Sequence, residues 1–180
     1  MNRHSRRAFV ALAAASGTAT LLGSPAQAAP HRDTAPDAGP ESGRERGNKA
    51  LVRRAFARQN SGGSFFDVLH PDVVWSIVNG RTYHGKQAFL HEGSAPVTTR
   101  LATHLVMTPH DLWADGDTVI TRFAGDATAL DGLPYHNEYC WVLAFRRNQV
   151  VRAHAYLDTT ALTDLIDRVP PARSRLRKEQ

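Results

Sequence analysis

The side chains with the most chemistry to offer in this 180-residue chain are nine histidines, four tyrosines and one cysteine. Their spacing removes several mechanisms. No two histidines stand in H-x-H or H-E-x-x-H spacing, and Cys140 has no second cysteine to pair with, so no tight metal motif and no intramolecular disulfide is written into the chain. There is no glycine-rich phosphate loop, no G-x-S-x-G turn and no cysteine–histidine spacing suited to a thiolate nucleophile. Neither a metal nor an organic cofactor is therefore expected. Proton transfer by one histidine remains, because an imidazole brought into a pocket titrates near neutral pH and can be oriented by a carboxylate, phenol or amide. Asp158 looks catalytic at first sight, but it stands just before Thr159-Thr160, where a side-chain oxygen caps a helix.

Charge narrows the partners. The formal net charge is +5, but it is concentrated at the ends: Arg3, Arg6 and Arg7 at the start, and five basic residues against Glu179 alone from Arg168 onward. Residues 29–167 hold 14 basic and 16 acidic side chains, so the middle has no basic surplus with which to grip phosphates, and no nucleic-acid partner is expected. The short basic tail reads as a solvated end.

The positioning elements follow from pattern. Arg6-Arg7-Ala8-Phe9, an Ala/Leu-rich run from Ala11 to Leu22, and Ala26-Gln27-Ala28 have the order of a signal peptide with a twin-arginine character over residues 1–28. The run is too short and too polar to span a bilayer, so an exported product without a stable membrane anchor is expected. Residues 29–47, rich in Pro, Asp, Gly, Arg and Glu, read as a disordered linker, and 169–180 as a basic disordered tail. The folded domain is expected over 48–168. Leu51, Val52, Ala55 and Phe56 recur at helical spacing from Asn48; a short helix follows at 64–69, a strand at 72–78 and a helix at 85–95. Then the period becomes two. Strands are predicted at 105–113, 117–129, 135–146 and 149–157, with turns at Asp115-Gly116, Asp131-Gly132 and Arg147-Asn148, and a last helix at 160–168. This order is an α+β arrangement.

With Val73-Val74-Trp75, Tyr83-His84-Gly85, the Asp131-Gly132 turn and Val151 followed by Tyr156-Leu157-Asp158, the chain resembles the SnoaL-like and ketosteroid-isomerase-like families. The resemblance implies their cone-shaped nuclear-transport-factor-two-like fold, a curved mixed or antiparallel sheet packed on N-terminal helices around one pocket. Aligning Asp131-Gly132 with the family's turn puts Arg122, Ala124, Asp126 and Thr128 inward on one strand and Asn137, Tyr139, Trp141, Leu143 and Phe145 inward on the next. Trp75, Ile77 and Asn79 would point in from the first strand, with Ala153, Ala155 and Leu157 as floor. The lining implied is aromatic with a few polar groups. Tyr83, Asn137 and Tyr139 would fix ligand oxygens, and Trp75, Asn79, Arg122 and Trp141 would complete the binding surface. Glu138, Cys140, Val142 and Ala144 would form an outer stripe, which in this fold class is often a homodimer surface.

The resemblance also shows what is missing. Ketosteroid isomerase needs a carboxylate base, a tyrosine and a carboxylic acid, and the matching positions hold Ile77, Ala55 or Phe56, and Trp141. Limonene epoxide hydrolase has an Asp–Arg–Asp set, of which only Arg122 is matched, with Ala124 and Ala155 for the aspartates. Thr103-His104-Leu105 resembles the scytalone dehydratase segment whose histidine is an acid–base, so His104 is the candidate catalytic residue, assisted by Asp126 and Tyr139. Two bland roles compete: His104 bonding a backbone carbonyl at a helix end, and Asp126 pairing with Arg122. Two functions stay open: a cofactor-independent isomerase, cyclase or dehydratase acting on a small apolar or aromatic molecule, and a non-catalytic ligand-binding or protein-interaction module.

Overall fold

Ser42 starts the first helix. Its hydroxyl accepts the Glu45 N–H while the Glu45 carboxylate accepts the Ser42 N–H, a reciprocal cap that fixes α1 as Gly43–Asn60. The computed structural model describes residues 40–172. The expected signal peptide, residues 29–39 of the expected linker and residues 173–180 of the expected tail lie outside the described residues. Residues 43–47, assigned to the linker on composition, are helical instead. Their polar side chains are in keeping with a solvent-facing first turn, and the capping pair supplies what apolar periodicity does not. The far boundary moves too. Val169 is buried, its carbonyl accepts from Arg100 Nε at 2.7 Å, and the Ala172 N–H reaches the Thr99 carbonyl at 2.8 Å.

Six strands form one sheet in the order β2-β1-β6-β5-β4-β3. They are β1 (Leu69–Ile77), β2 (Thr82–His84), β3 (Val106–Asp115), β4 (Thr118–Thr128), β5 (Pro134–Arg146) and β6 (Gln149–Leu157). All neighbours are antiparallel except β1 and β6. A 3₁₀ turn, Phe65–Val68, leads into β1, and α4 (Thr159–Arg168) follows β6. Asp158 Oδ1 accepts from the Thr160 and Ala161 N–H groups, so this residue caps α4, as its position before two threonines implies. α1 and the 3₁₀ turn close one face of the sheet over Val52, Phe56, Phe65, Phe123, Trp141 and Leu143, all buried. Among the described residues no helix is long and apolar enough to cross a membrane.

The helix expected at 85–95 is irregular. α2 (Lys86–Ala88) widens into a π-helical stretch, Phe89–Ser94, before α3 (Ala95–Thr98). Pro96 has no N–H to return to the Glu92 carbonyl, and its ring disfavours a tight turn there. The Ala95 N–H bonds five residues back to Leu90, and the Glu92 carbonyl accepts from the Tyr83 hydroxyl at 3.5 Å.

The β4–β5 connection decides which side chains face the core. Asp131-Gly132 is part of a three-residue loop, Leu130-Asp131-Gly132. The Ala129 N–H donates to the Leu133 carbonyl, the Gly132 N–H donates to the Ala129 carbonyl, and Gly132 has φ +85°. A loop of three rather than two residues moves the pairing by one, so that Gly125, not Asp126, lies opposite Asn137. On β5 the expected inward face is observed. On β4 it is inverted: Val119, Thr121, Phe123 and Gly125 are buried, while Arg122 and Asp126 are exposed on the outer face.

Candidate functional site

A cavity of about 430 Å³ lies between the inner face of β1, β5 and β6 and the helical segment from Phe89 to Thr98. Alternation along the strands supplies Trp75 and Ile77 from β1, Tyr139 and Trp141 from β5, and Ala155 and Leu157 from β6. The aromatic side chains hold one another in place. Trp75 stacks on Phe89 with ring centroids 4.2 Å apart and an angle of 18°, and stands edge-on to Trp141 at 5.0 Å and 85°. Phe66, from the 3₁₀ turn, meets Phe89 edge-on at 5.0 Å and Trp141 at 6.0 Å. Gly93 is required for this wall, because a Cβ there would come within 2.7 Å of the Phe89 ring. None of the described lining residues is Asp, Glu, Lys or Arg.

Four of the nine expected site residues meet at this cavity: His104, Tyr139, Trp75 and Trp141. His104 sits exposed at the rim, in the segment between α3 and β3, with Nε2 against the Gln59 backbone carbonyl near the end of α1. Nε2 is the ring nitrogen engaged by Gln59, and Nδ1 is the nitrogen without a bond among the described residues. The Gln59 side chain meets the ring as well, its Nε2 lying 3.0 Å from His104 Nε2 and donating to the Leu105 carbonyl at 2.9 Å, while its oxygen accepts the Phe65 N–H at 3.0 Å. Next to it the Asn60 amide bonds both the N–H and the carbonyl of Met107 at 2.8 Å, tying α1 to β3 beneath the histidine.

Tyr139 stacks on Phe123 at 4.8 Å and 10°, and its hydroxyl is 3.0 Å from that of Tyr135. Burial pushes both phenols above the ordinary tyrosine value, Tyr139 far above it, so each stays protonated at any physiological pH.

The other five are elsewhere. Asn137 is buried but bonded to protein: its Nδ2 donates to the Asp158 carbonyl at 2.9 Å and to Tyr135 Oη at 3.1 Å, and its Oδ1 accepts the Asp158 N–H. Tyr83 is buried behind the wall, against Phe89. Asn79 is exposed in the turn after β1 with φ +60°, two residues past Ile77, where the strand and its alternation have ended. Arg122 and Asp126 are on the outer face because of the three-residue loop, and they do not pair with each other. Arg122 Nη1 is 3.2 Å from Asp111 Oδ2, and Asp126 Oδ1 is 2.7 Å from His136 Nδ1. Asp126 therefore cannot assist His104. His136 and His154 stand apart on the sheet, since His154 lies opposite Val142, six residues along β5. No group of three or more His, Cys, Asp or Glu side chains converges among the described residues.

Sequence reasoning missed Gln59, Phe66, Phe89 and Tyr135. Gln59 had a signal: a polar residue seven after Val52, on the apolar face of α1. Tyr135 shares the inward parity of Asn137 and Tyr139 on β5. Phe89 belonged to a predicted helix, but the π-helical widening that turns it onto Trp75 has no periodicity of its own.

Solved structures of the same architecture exist at low identity. A nuclear-transport-factor-two-like protein of unknown function from Burkholderia pseudomallei is 21% identical, with a TM-score of 0.57 over 67% of this chain and 97% of that one. A SnoaL-like polyketide-cyclase candidate from Jannaschia sp. CCS1 is 13% identical, with a TM-score of 0.59 over 72% and 97%. A protein with a ketosteroid-isomerase-like fold from Catenulispora acidiphila, solved in complex with trimethylamine, is 12% identical, with a TM-score of 0.52 over 67% and 92%. At these identities the likeness establishes the nuclear-transport-factor-two-like fold. No curated protein matches the sequence. The family model described as the SnoaL-like domain matches residues 48–153, from α1 into β6 as far as Ala153, the residue paired with Trp75, and on that match the chain belongs to the SnoaL-like domain family.

Proposed function

We propose that this SnoaL-like domain binds a small, uncharged, apolar or aromatic molecule in its conical cavity. One observation carries the reading: a cavity of about 430 Å³ walled by Phe66, Trp75, Phe89, Tyr139 and Trp141, with no carboxylate, ammonium or guanidinium among its described lining residues. Burying an ionic ligand there would leave its charge uncompensated, which is strongly unfavourable, whereas a flat neutral molecule gains apolar contact with the rings. Export is part of the proposal and rests on the sequence from Arg6 to Ala28. Tryptophan fluorescence tests the binding reading, with the full chain titrated against steroids, quinones, polyketide-like aromatics and terpenoids. Saturable quenching by one class is expected, because Trp75 and Trp141 line the cavity; silence across the panel would turn the reading toward a protein-interaction module.

A second reading is favoured by the position of His104, which lines the cavity with Nδ1 unbonded among the described residues. Here the protein is a cofactor-independent isomerase, cyclase or dehydratase, and His104 moves the proton. For a molecule that is turned over, His104→Ala is expected to lower turnover by about 100-fold or more, the size usual for a positioned acid–base. Unchanged turnover leaves His104 only its bond to the end of α1.

A further inference from the structure

Asn137, Tyr135 and the partly buried Tyr139 form one hydrogen-bonded chain with a fixed direction. Asn137 cannot be turned around, because its Oδ1 takes the Asp158 N–H at 3.0 Å and its Nδ2 gives one proton to the Asp158 carbonyl at 2.9 Å. The second Nδ2 proton goes to Tyr135 Oη at 3.1 Å. Tyr135, only 3% exposed, has then accepted one bond and holds one proton to give, and the acceptor within reach is Tyr139 Oη at 3.0 Å. Were the last bond reversed, Tyr135 would accept twice and its own proton would be buried without a partner among the described residues, which carries the desolvation penalty of an unmade hydrogen bond. The order that satisfies every group runs from Asn137 to Tyr135 to Tyr139. It leaves the Tyr139 proton unspent, on the one phenol that lines the cavity.

We propose that Tyr135 and Asn137 are positioning residues that make Tyr139 a dedicated hydrogen-bond donor, so that the pocket selects neutral aromatic molecules carrying an acceptor oxygen, a carbonyl or an ether, over equally shaped hydrocarbons. This rests on the cavity being a ligand site. The chain is one-way: Asn137 is locked by backbone, Tyr135 is locked by Asn137, and the Tyr139 ring is held against Phe123. With its own lone pair engaged by Tyr135, the Tyr139 hydroxyl is polarised toward donation. Its burial keeps the phenol protonated, so the donor is present throughout the physiological pH range.

Two probes of nearly the same shape test the inference on the full chain: 2-acetylnaphthalene and 2-isopropylnaphthalene, titrated by tryptophan fluorescence. The quantity read is the ratio of their affinities, so that the difference in their water solubility cancels between variants. Tyr139→Phe is expected to lower the ketone-to-hydrocarbon ratio by about three- to tenfold, one neutral hydrogen bond. Tyr135→Phe is expected to lower it in part while leaving the hydrocarbon affinity within about twofold, which a loss of packing would not do. A readout needing no variant is the carbonyl stretch of bound 2-acetylnaphthalene, expected at lower wavenumber than in an apolar solvent. If both probes bind but the ratio is the same in wild type and both variants, and the stretch matches the apolar solvent, the donor chain is wrong and the ligand site stands. If neither probe binds and the wider panel is also silent, the ligand site falls and the inference falls with it.

Discussion

Gly125 has no side chain, and the space it leaves is filled by Tyr139. A Cβ at Gly125 would stand 2.9 Å from the Tyr139 ring and 3.4 Å from Leu105, so Gly125→Ala is expected to push the ring off Phe123. Overpacking of this kind costs about 1–3 kcal/mol, readable as a lower urea midpoint. The same variant should weaken binding of any ligand that Tyr139 touches, and an unchanged midpoint would show that the ring has room to yield. On the opposite face of β4, Asp126 accepts from His136 Nδ1 and raises the His136 pKa above its ordinary value, its negative charge and that of Glu138 adding to the effect. A raised folded-state pKa places the sign: the pair contributes stability below the unfolded histidine pKa of about 6.5, and that contribution is lost as pH rises through the folded value. Both side chains are more than half exposed, so solvent and salt keep the effect small. The sensitive measurement is an NMR titration of the His136 ring, in which Asp126→Asn should bring the midpoint down. Much at this scale was legible beforehand: the inward run Asn137, Tyr139, Trp141 follows from alternation alone, and Asp158 announced itself as a cap by standing before two threonines. That Asn137 bonds protein rather than ligand was not legible. It depends on the start of α4 folding back beside β5, a contact between residues 21 apart.

Among the elements, the loop between β4 and β5 teaches the most about reading a strand. Asp131-Gly132 between alternating apolar runs signals a hairpin correctly, yet the signal does not say whether the loop has two residues or three. One residue of difference reverses the face of β4 against β5, and with it the places of Arg122 and Asp126. The hairpin was legible from local chemistry; its register was set by Gly132 taking φ +85° as the third loop residue. The start of α1 shows the complementary case, where Ser42 and Glu45 mark the helix and composition hid it. The other end of α1 carries the site, since Asn60 holds the Met107 backbone by both its N–H and its carbonyl while Gln59 holds Phe65 and Leu105. Asn60→Ala would leave the partly buried Met107 pair unsatisfied, with an expected loss of about 1–3 kcal/mol. Hydrogen exchange gives the discriminating readout: the Met107 amide should lose protection well before the centre of β3, whereas uniform loss along β3 would mean that the bond serves global stability only.

At the scale of the whole molecule, the sheet has two faces with different work. The inner face encloses the cavity. The outer face presents Trp113, Ile120 and Tyr156, with relative exposures of 51%, 36% and 49%. Trp113 is opposite Ile120 and Ile120 opposite Val142, while Tyr156 stands in the adjoining row, opposite Cys140, which is opposite Arg122. A solvated sheet face would carry polar residues along these rows, so the apolar band is the place where a second copy would be expected to cover the sheet. A stable pair of this kind buries about 800 Å² on each partner, more than these side chains alone supply, so the flanking charges would have to meet their opposites. Arg122 and Asp111, already paired 3.2 Å apart beside Trp113, can exchange partners across a two-fold axis without leaving a charge alone. Light scattering of the full chain should then give twice the mass of one chain at micromolar concentration. Ile120→Arg, set into the middle of the band, should halve that mass while leaving ligand quenching of Trp75 and Trp141 unchanged, because the cavity opens on the other side of the sheet. A single-chain mass for the unmodified protein would end the dimer proposal and leave the outer face to a different partner; loss of quenching in a folded Ile120→Arg monomer would instead show that the two faces of the sheet are coupled.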